Sequence, residues 1–194
     1  RIAVEQLKAE FDRRPVTGRL GYTLASADRP AKLDAELKAP RLDIDAALGF
    51  GRALLAGSTL ERPREMTLAI EIGRASFSGI DVGNARVHMH VDPDGLQVDR
   101  LTIGDIGGGS FSAAGRIETK GNVPRGSFAV DLETTKAAAI ATIAEKVVPE
   151  RIASAVKILE RVGRAKLHGT LDVAGDDKTS ATAARVAVTG TLDE

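Results

Sequence analysis

The sequence predicts a mainly β fold, in which a curved antiparallel sheet forms a meander or groove and helices at about 45–57 and 135–162 cover it. Three observations predict this fold. Long stretches alternate between apolar and polar residues, which is typical of half-buried strands. Short turn sequences rich in glycine, proline and aspartate separate these stretches. Two further stretches break the alternation and have the composition of helices.

The alternation indicates about nine or ten strands. It is clearest where Met66, Leu68, Ile70 and Ile72 fall on one face of a strand and polar or small residues fall on the other. The same pattern recurs around residues 20–24, 33–37, 86–91, 111–117, 128–132, 165–173 and 186–192.

Turn sequences connect the central strands. The run Asp92-Pro93-Asp94-Gly95 is a hairpin signal, and the glycine-rich run 104–109 also indicates a turn. Residues 65–119 are therefore predicted to form an antiparallel meander. The apolar alternation changes phase at Ala39-Pro40 and at Asp99-Arg100, where we expect β-bulges.

The two helical stretches differ in length. Residues 45–57 predict one helix. Within 135–162, Pro149 is expected to separate a helix that ends near Val148 from a second helix that starts at Glu150. The second carries an apolar stripe of Ile152, Val156 and Leu159, which we expect to pack on the sheet rather than on a partner or a membrane.

A strand-strand-helix unit repeats along the chain. Openings near residues 18, 115 and 169 share a glycine followed by a strand, and an alanine-rich helix follows the first two strand pairs. We therefore expect residues 1–194 to form a single continuous repeat-built region. Because the chain begins with Arg1 and carries no leader sequence, we expect it to be a fragment of a longer protein.

Composition narrows the classes of function. Lysine plus arginine and aspartate plus glutamate are both 27, which disfavours a nucleic-acid partner. There is no cysteine, so disulfides and thiolate metal sites are excluded. No apolar run reaches the ~18 residues that a membrane-spanning helix needs.

Three runs carry a family resemblance: 40–48 (PRLDIDAAL), 95–103 (GLQVDRLTI) and 108–117 (GGSFSAAGRI). Their order along the chain resembles that of the AsmA family of bacterial cell-envelope proteins. The resemblance implies a curved β groove in an interior periplasmic portion, with an inner-membrane anchor outside this fragment. It also implies a part in outer-membrane biogenesis, because AsmA-like proteins look like bridge-type lipid-transfer proteins with an apolar channel.

The function expected on this basis is non-catalytic handling or transfer of phospholipid along the groove, without a cofactor. The alternative is a protein-interaction scaffold of the cell envelope that uses exposed strand edges to bind other envelope proteins. The acyl chain would contact apolar strand faces, although the same side chains could instead form a closed core. The candidates are Met66, Leu68, Ile70, Ile72, Val87, Met89, Phe111 and Phe128.

Other motifs favour ordinary structural roles. His88 and His90 share a strand face but lack a third metal ligand, so we predict no metal site. Asp45 is expected to cap the following helix. No Gly-x-Ser-x-Gly elbow or phosphate-loop ending is present, so we predict no enzyme activity.

Two short basic clusters have alternative interpretations. Arg13-Arg14 and Arg62-Pro63-Arg64 are either solvated loop residues, which we favour, or contacts to lipid headgroups.

Overall fold

The computed structural model describes residues 2–57, 62–120, 123–147, 163–175 and 182–193. Ten strands within these ranges form one open sheet whose spatial order follows the chain. The predicted mainly β fold class, with its two helices, is confirmed. The strands are β1 (Ile2–Phe11), β2 (Arg14–Thr23), β3 (Lys32–Asp43), β4 (Glu65–Phe77), β5 (Ile80–Asp92), β6 (Gly95–Ile106), β7 (Gly109–Lys120), β8 (Val123–Thr134), β9 (Arg164–Gly175) and β10 (Thr182–Asp193).

All neighbouring strands are antiparallel except β3 and β4, which run parallel. A parallel pair needs a crossover, and the helix α1 (Ile44–Gly57) lies in that connection. The predicted meander over 65–119 is confirmed as β4 to β7. After the second helix, α2 (Ala137–Val147), the chain returns antiparallel to β8, so the two helices serve different connections.

Both helices lie at one end of the sheet, because each follows a strand that ends there. Phe50 of α1 makes an edge-to-face contact with Phe11, with ring centroids 5.6 Å apart. On α2, Ala137 and Ala141 are buried against Ala165 of β9. The predicted second helix of the 135–162 stretch, with its stripe of Ile152, Val156 and Leu159, lies outside the described residues.

The N-terminus of α1 corrects one prediction. The carboxylate of Asp43, not that of Asp45, accepts a hydrogen bond from the Ala46 amide, at 2.9 Å. This is a helix N-cap, in which the side chain supplies a hydrogen-bond partner for one of the free amides of the first turn. Asp45 instead accepts a hydrogen bond from the Ser78 amide of the β4–β5 turn, at 2.7 Å, and so joins the helix to the sheet.

Both predicted phase changes occur, in different ways. At Asp99-Arg100 the pairing with β5 and with β7 shifts register, which confirms a bulge in β6. At Pro40 the β3–β4 register does not shift, because Gly73 of β4 lies level with it and β4 changes phase at the same place.

The phase change continues across the sheet through two more strands. Asn84 of β5, with φ of 52°, and Gly104 of β6 lie at the same level as Gly73. We call the line Pro40–Gly73–Asn84–Gly104 the crease. Each strand has one surplus residue there, so the apolar residues on both sides of the crease stay on one face of the sheet.

Candidate functional site

One face of the sheet is apolar across strands β3 to β9. Directly opposed residues on neighbouring strands share a face, so the pairing defines four rows, which together we call the apolar face. The first row is Leu33, Met66, Val91, Leu96, Ile117, Gly126 and Val173, and the second is Ala35, Leu68, Met89, Val98, Gly115, Phe128 and Leu171. The third is Leu37, Ile70, Val87, Leu101, Ala113, Val130 and Gly169, and the fourth is Ala39, Ile72, Ala85, Ile103, Phe111, Leu132 and Leu167.

All eight predicted lipid-contact residues lie on this face. Met66 belongs to the first row, and Leu68 is directly opposite Met89 in the second. Phe128 is also in the second row. Ile70 pairs with Val87 in the third row, whereas Ile72 and Phe111 lie in the fourth. The alternation therefore placed these residues on a common surface that spans five strands.

The apolar face is only partly shielded from solvent. Ile72 is 6% exposed, and the other seven candidates are half-buried. Among the described residues, no large side chain is completely buried. Interiors of closed domains bury such side chains fully. The exposure of the central rows is therefore higher than a packed core would give.

The opposite face is polar and carries ion pairs across the strands. The carboxylate of Glu71 binds Arg86, with Nε 3.3 Å from Oε1, and Lys38, with Nζ 3.4 Å from Oε2. A hydrogen bond from Arg86, and to a smaller extent one from Lys38, lowers the pKa of Glu71 below its ordinary value. Because these groups are solvent-exposed, the pairs stabilise the fold little. They identify this side as the solvated polar face.

The two neighbouring histidines on the polar face bind separate carboxylates. His88 Nδ1 lies 2.8 Å from Asp99 Oδ2, and His90 Nε2 lies 3.6 Å from Asp92 Oδ2. Within the described part of the chain, no three histidine, cysteine, aspartate or glutamate side chains group so as to hold a metal ion. The second ring nitrogen of His90, Nδ1, also lies 3.3 Å from the Thr67 hydroxyl, so the two histidines have separate polar partners.

A hollow of about 680 Å³ on the polar face contains Ser112, Asp131 and His168. His168 Nδ1 lies 2.6 Å from Asp131 Oδ1, and Ser112 Oγ lies 3.4 Å from Asp131 Oδ2. A nucleophilic serine would have to contact the histidine rather than the aspartate. In this order the three side chains form a polar network across β7, β8 and β9 without the geometry of a catalytic triad.

Sequence reasoning missed one feature of the polar face. Arg41 and Arg74 are 33 positions apart in sequence, yet they are directly opposed across the parallel β3–β4 pair. The signal was present in the matching phase changes at Pro40-Arg41 and Gly73-Arg74. It could not be used without knowing that the two strands run parallel.

The fold and these surfaces define an open-sheet protein with one apolar and one polar face. Comparison of the chain with protein-family models, with characterised proteins and with solved structures finds no match. In the described ranges, no helix combines the length and the apolar character needed to cross a membrane.

Proposed function

We propose that the apolar face binds the acyl chains of phospholipids, as part of an AsmA-like protein of the bacterial periplasm. In this proposal the protein acts without catalysis in outer-membrane biogenesis and is held by an inner-membrane anchor outside this fragment. The observation that carries the proposal is the row structure: four adjacent rows contain no charged residue over seven strands and remain partly exposed.

The dimensions of the apolar face suit acyl chains. Neighbouring strands lie ~4.8 Å apart, so seven strands span about 29 Å, and four rows at ~6.6 Å spacing span about 20 Å. The acyl chains of one membrane leaflet extend over about 15 Å. Two chains side by side therefore fit on the face, and each CH₂ group that leaves water contributes ~0.8 kcal/mol.

A pair of cysteine variants tests this proposal directly, because the chain has no native cysteine. Val87 lies on the apolar face, and its neighbour Arg86 lies on the polar face of the same strand. Each variant, Val87→Cys or Arg86→Cys, would receive a nitroxide label. The labelled protein would be mixed with phosphatidylcholine that carries a fluorophore on its acyl chain, and the nitroxide quenches this fluorophore where the two are in contact. We expect lipid contact at position 87 and none at position 86.

Two results would contradict the proposal. One is equal contact at both positions, which would indicate non-specific adsorption. The other is a Val87→Cys variant whose thiol takes up no label in the folded protein, which would indicate a closed core. Mass spectrometry of lipids that co-purify with the chain gives an independent measure, with stoichiometric phospholipid as the expected result.

A scaffold function is the second candidate, and the free edge of β1 favours it. Ile2 and Val4 are 52% and 39% exposed, although they lie on the same face as Tyr22 and Leu20, their partners in β2. An edge strand with exposed apolar residues can pair with a strand of another envelope protein. Val4→Lys should weaken such pairing, which a pull-down would measure. It should leave acyl-chain contact at position 87 unchanged in the label assay, because three strands separate β5 from the edge strand.

A further inference from the structure

Three arginines line one hollow beside the crease. Arg41 and Arg74 are directly opposed on β3 and β4, one residue beyond Pro40 and Gly73. Arg14, at the start of β2, lines the same hollow, whose volume is about 580 Å³. The remaining lining residues, Pro15, Pro40 and Gly73, carry no side-chain charge. The hollow therefore has three positive charges and no negative one in its wall.

The opposition of Arg41 and Arg74 is unfavourable without a third group. Like charges directly across two strands destabilise a sheet. Elsewhere on the polar face this cost is avoided: Arg19 binds Glu36 at 2.8 Å, and Glu71 lies between Lys38 and Arg86. Within the described residues, none of the three guanidinium groups has an ion pair or a hydrogen bond to a side chain.

Two carboxylates share an adjoining hollow with the arginines. They belong to Asp81 and Asp105. Asp105 Oδ1 accepts a hydrogen bond from the Gly108 amide, at 3.2 Å, which directs this carboxylate toward its own turn. The side of the arginines that faces Pro15 and Pro40 is left without an anionic group.

The crease keeps the hollow open. A Cβ atom at Gly73 would lie 2.8 Å from the carbonyl oxygen of Pro40, so the two strands approach closely there. Pro40 and Gly73 line the hollow between the arginines and carry no charge that could pair with them. Planar guanidinium groups present paired N–H donors that match the oxygens of a phosphate group.

We propose that Arg14, Arg41 and Arg74 form a binding site for a phosphate group, carried either by a lipid headgroup or by a water-soluble phosphate compound. The site lies on the polar face, and its existence does not depend on acyl-chain binding by the apolar face. Phosphate oxygens between Arg41 and Arg74 would convert the repulsion across β3 and β4 into a bridged contact.

The test compares two double variants of the whole chain that lose the same charge. Arg41→Gln/Arg74→Gln removes the opposed pair, and Arg19→Gln/Arg116→Gln removes two arginines from the same face outside the hollow. Calorimetric titration with pyrophosphate at low salt measures the water-soluble source. Flotation with phosphatidylcholine vesicles, with and without phosphatidic acid, measures the headgroup source.

We expect the first variant to weaken binding of at least one probe by about tenfold or more, because hydrogen bonds to a charged group are lost. The second should weaken it by about twofold through general charge alone. Pyrophosphate binding would assign a water-soluble ligand, and vesicle binding alone would assign a headgroup. Equal losses in both variants, or no binding of either probe by the unmodified chain, would overturn the proposal.

The same samples separate this site from the proposed function. Acyl-chain contact at the label of the Val87→Cys variant should persist in the Arg41→Gln/Arg74→Gln background, because the two faces point to opposite sides of the sheet. Loss of phosphate binding with retained acyl contact would assign the two ligands to the two faces. Circular dichroism must show that both double variants retain the fold. If both are folded and bind phosphate equally well, the result would count against the site.

Discussion

Glycines on the apolar face let the strands carry large side chains beside them. A Cβ atom at Gly115 of β7 would collide with the carbonyl oxygen of Ser127 and lie 2.8 Å from the Phe128 ring. Phe128 therefore covers the space that Gly115 leaves, as aromatic residues do beside glycine in other sheets. The backbone of β8, rather than a flexible side chain, limits what position 115 accepts.

Gly115→Ala should lower the free energy of unfolding by about 1–3 kcal/mol, because β8 must move to admit the methyl group. Gly49→Ala is the matched control. A Cβ atom there meets nothing within 4 Å, and alanine in a helix is favoured over glycine by about 0.5–1 kcal/mol. Urea unfolding of both variants measures the difference. A neutral Gly115→Ala would show that β7 and β8 are less closely packed than described.

The Asp131 carboxylate couples stability to acid pH. A hydrogen bond from His168 lowers the pKa of Asp131 below its ordinary value, despite the opposing effect of desolvation. A lowered pKa in the folded state adds stability above the unfolded pKa, and this stability is lost as the pH falls through the folded value. We expect the urea concentration at the unfolding midpoint to decrease when the pH is lowered below about 4. The decrease should be smaller in Asp131→Asn. An unchanged acid dependence in that variant would contradict this coupling.

At the residue scale, the sequence predicted which side chains share a face but not which polar groups meet. Period-two alternation placed Ile70 and Val87 correctly because burial selects one parity in every strand. The capping residue was predicted wrongly, since Asp43 and Asp45 are chemically equivalent and only the helix start distinguishes them. The pair Asp131 and His168 is 37 positions apart and depends on register.

Among the elements, α1 depends on its first turn. Its apolar residues Leu48 and Phe50 are 49% and 56% exposed, so these two side chains bury little apolar surface. Two hydrogen bonds fix the N-terminus of the helix: the Ala46 amide donates to Asp43, and the Ser78 amide donates to Asp45.

Asp43→Ala should reduce stability by about 0.5–2 kcal/mol, and Asp43→Asn should change it by much less, because asparagine also caps helices. Hydrogen exchange of the α1 amides should accelerate in the first variant only. Asp45→Ala is the informative comparison, since it removes the bond to the Ser78 amide and keeps the cap. A larger effect on α1 exchange from Asp45→Ala than from Asp43→Ala would contradict the assignment.

Element boundaries were largely predictable, and the strand directions were only partly so. Turn chemistry at Asp92-Pro93-Asp94-Gly95 required an antiparallel hairpin. No such turn lies between β3 and β4, and the direction of β4 then depends on whether α1 lies in a crossover. The sequence shows a helix there but not where the chain re-enters the sheet.

For the whole molecule, sheet order follows the chain and each strand pairs only with its neighbours. Such quasi-one-dimensional arrays open locally from their ends. The strand β1 is exposed along nearly all its length, whereas β4 carries the buried residues Ile72 and Ala75. The turn sequences predicted neighbour pairing over 65–119, but nothing in the sequence indicated that both helices would lie at one end.

Amide exchange should therefore be fastest in β1 and slowest in β4 and β5. Pulse-labelling mass spectrometry of the native chain measures this gradient, and Gly115→Ala should accelerate β7 and β8 more than β1. Uniform protection across all strands, lost in a single step with denaturant, would show instead that the sheet unfolds as one cooperative unit.

The crease gives the chain an unusual sensitivity to its own length. Four strands each contain one surplus residue at the level of Pro40, Gly73, Asn84 and Gly104, and these surpluses compensate one another. Deleting a single residue from one strand would turn the rest of that strand over, and its apolar side chains would face water beside correctly oriented neighbours. Coordinated deletion from all four strands would restore agreement. In this region the protein should tolerate many substitutions more readily than the deletion of a single residue.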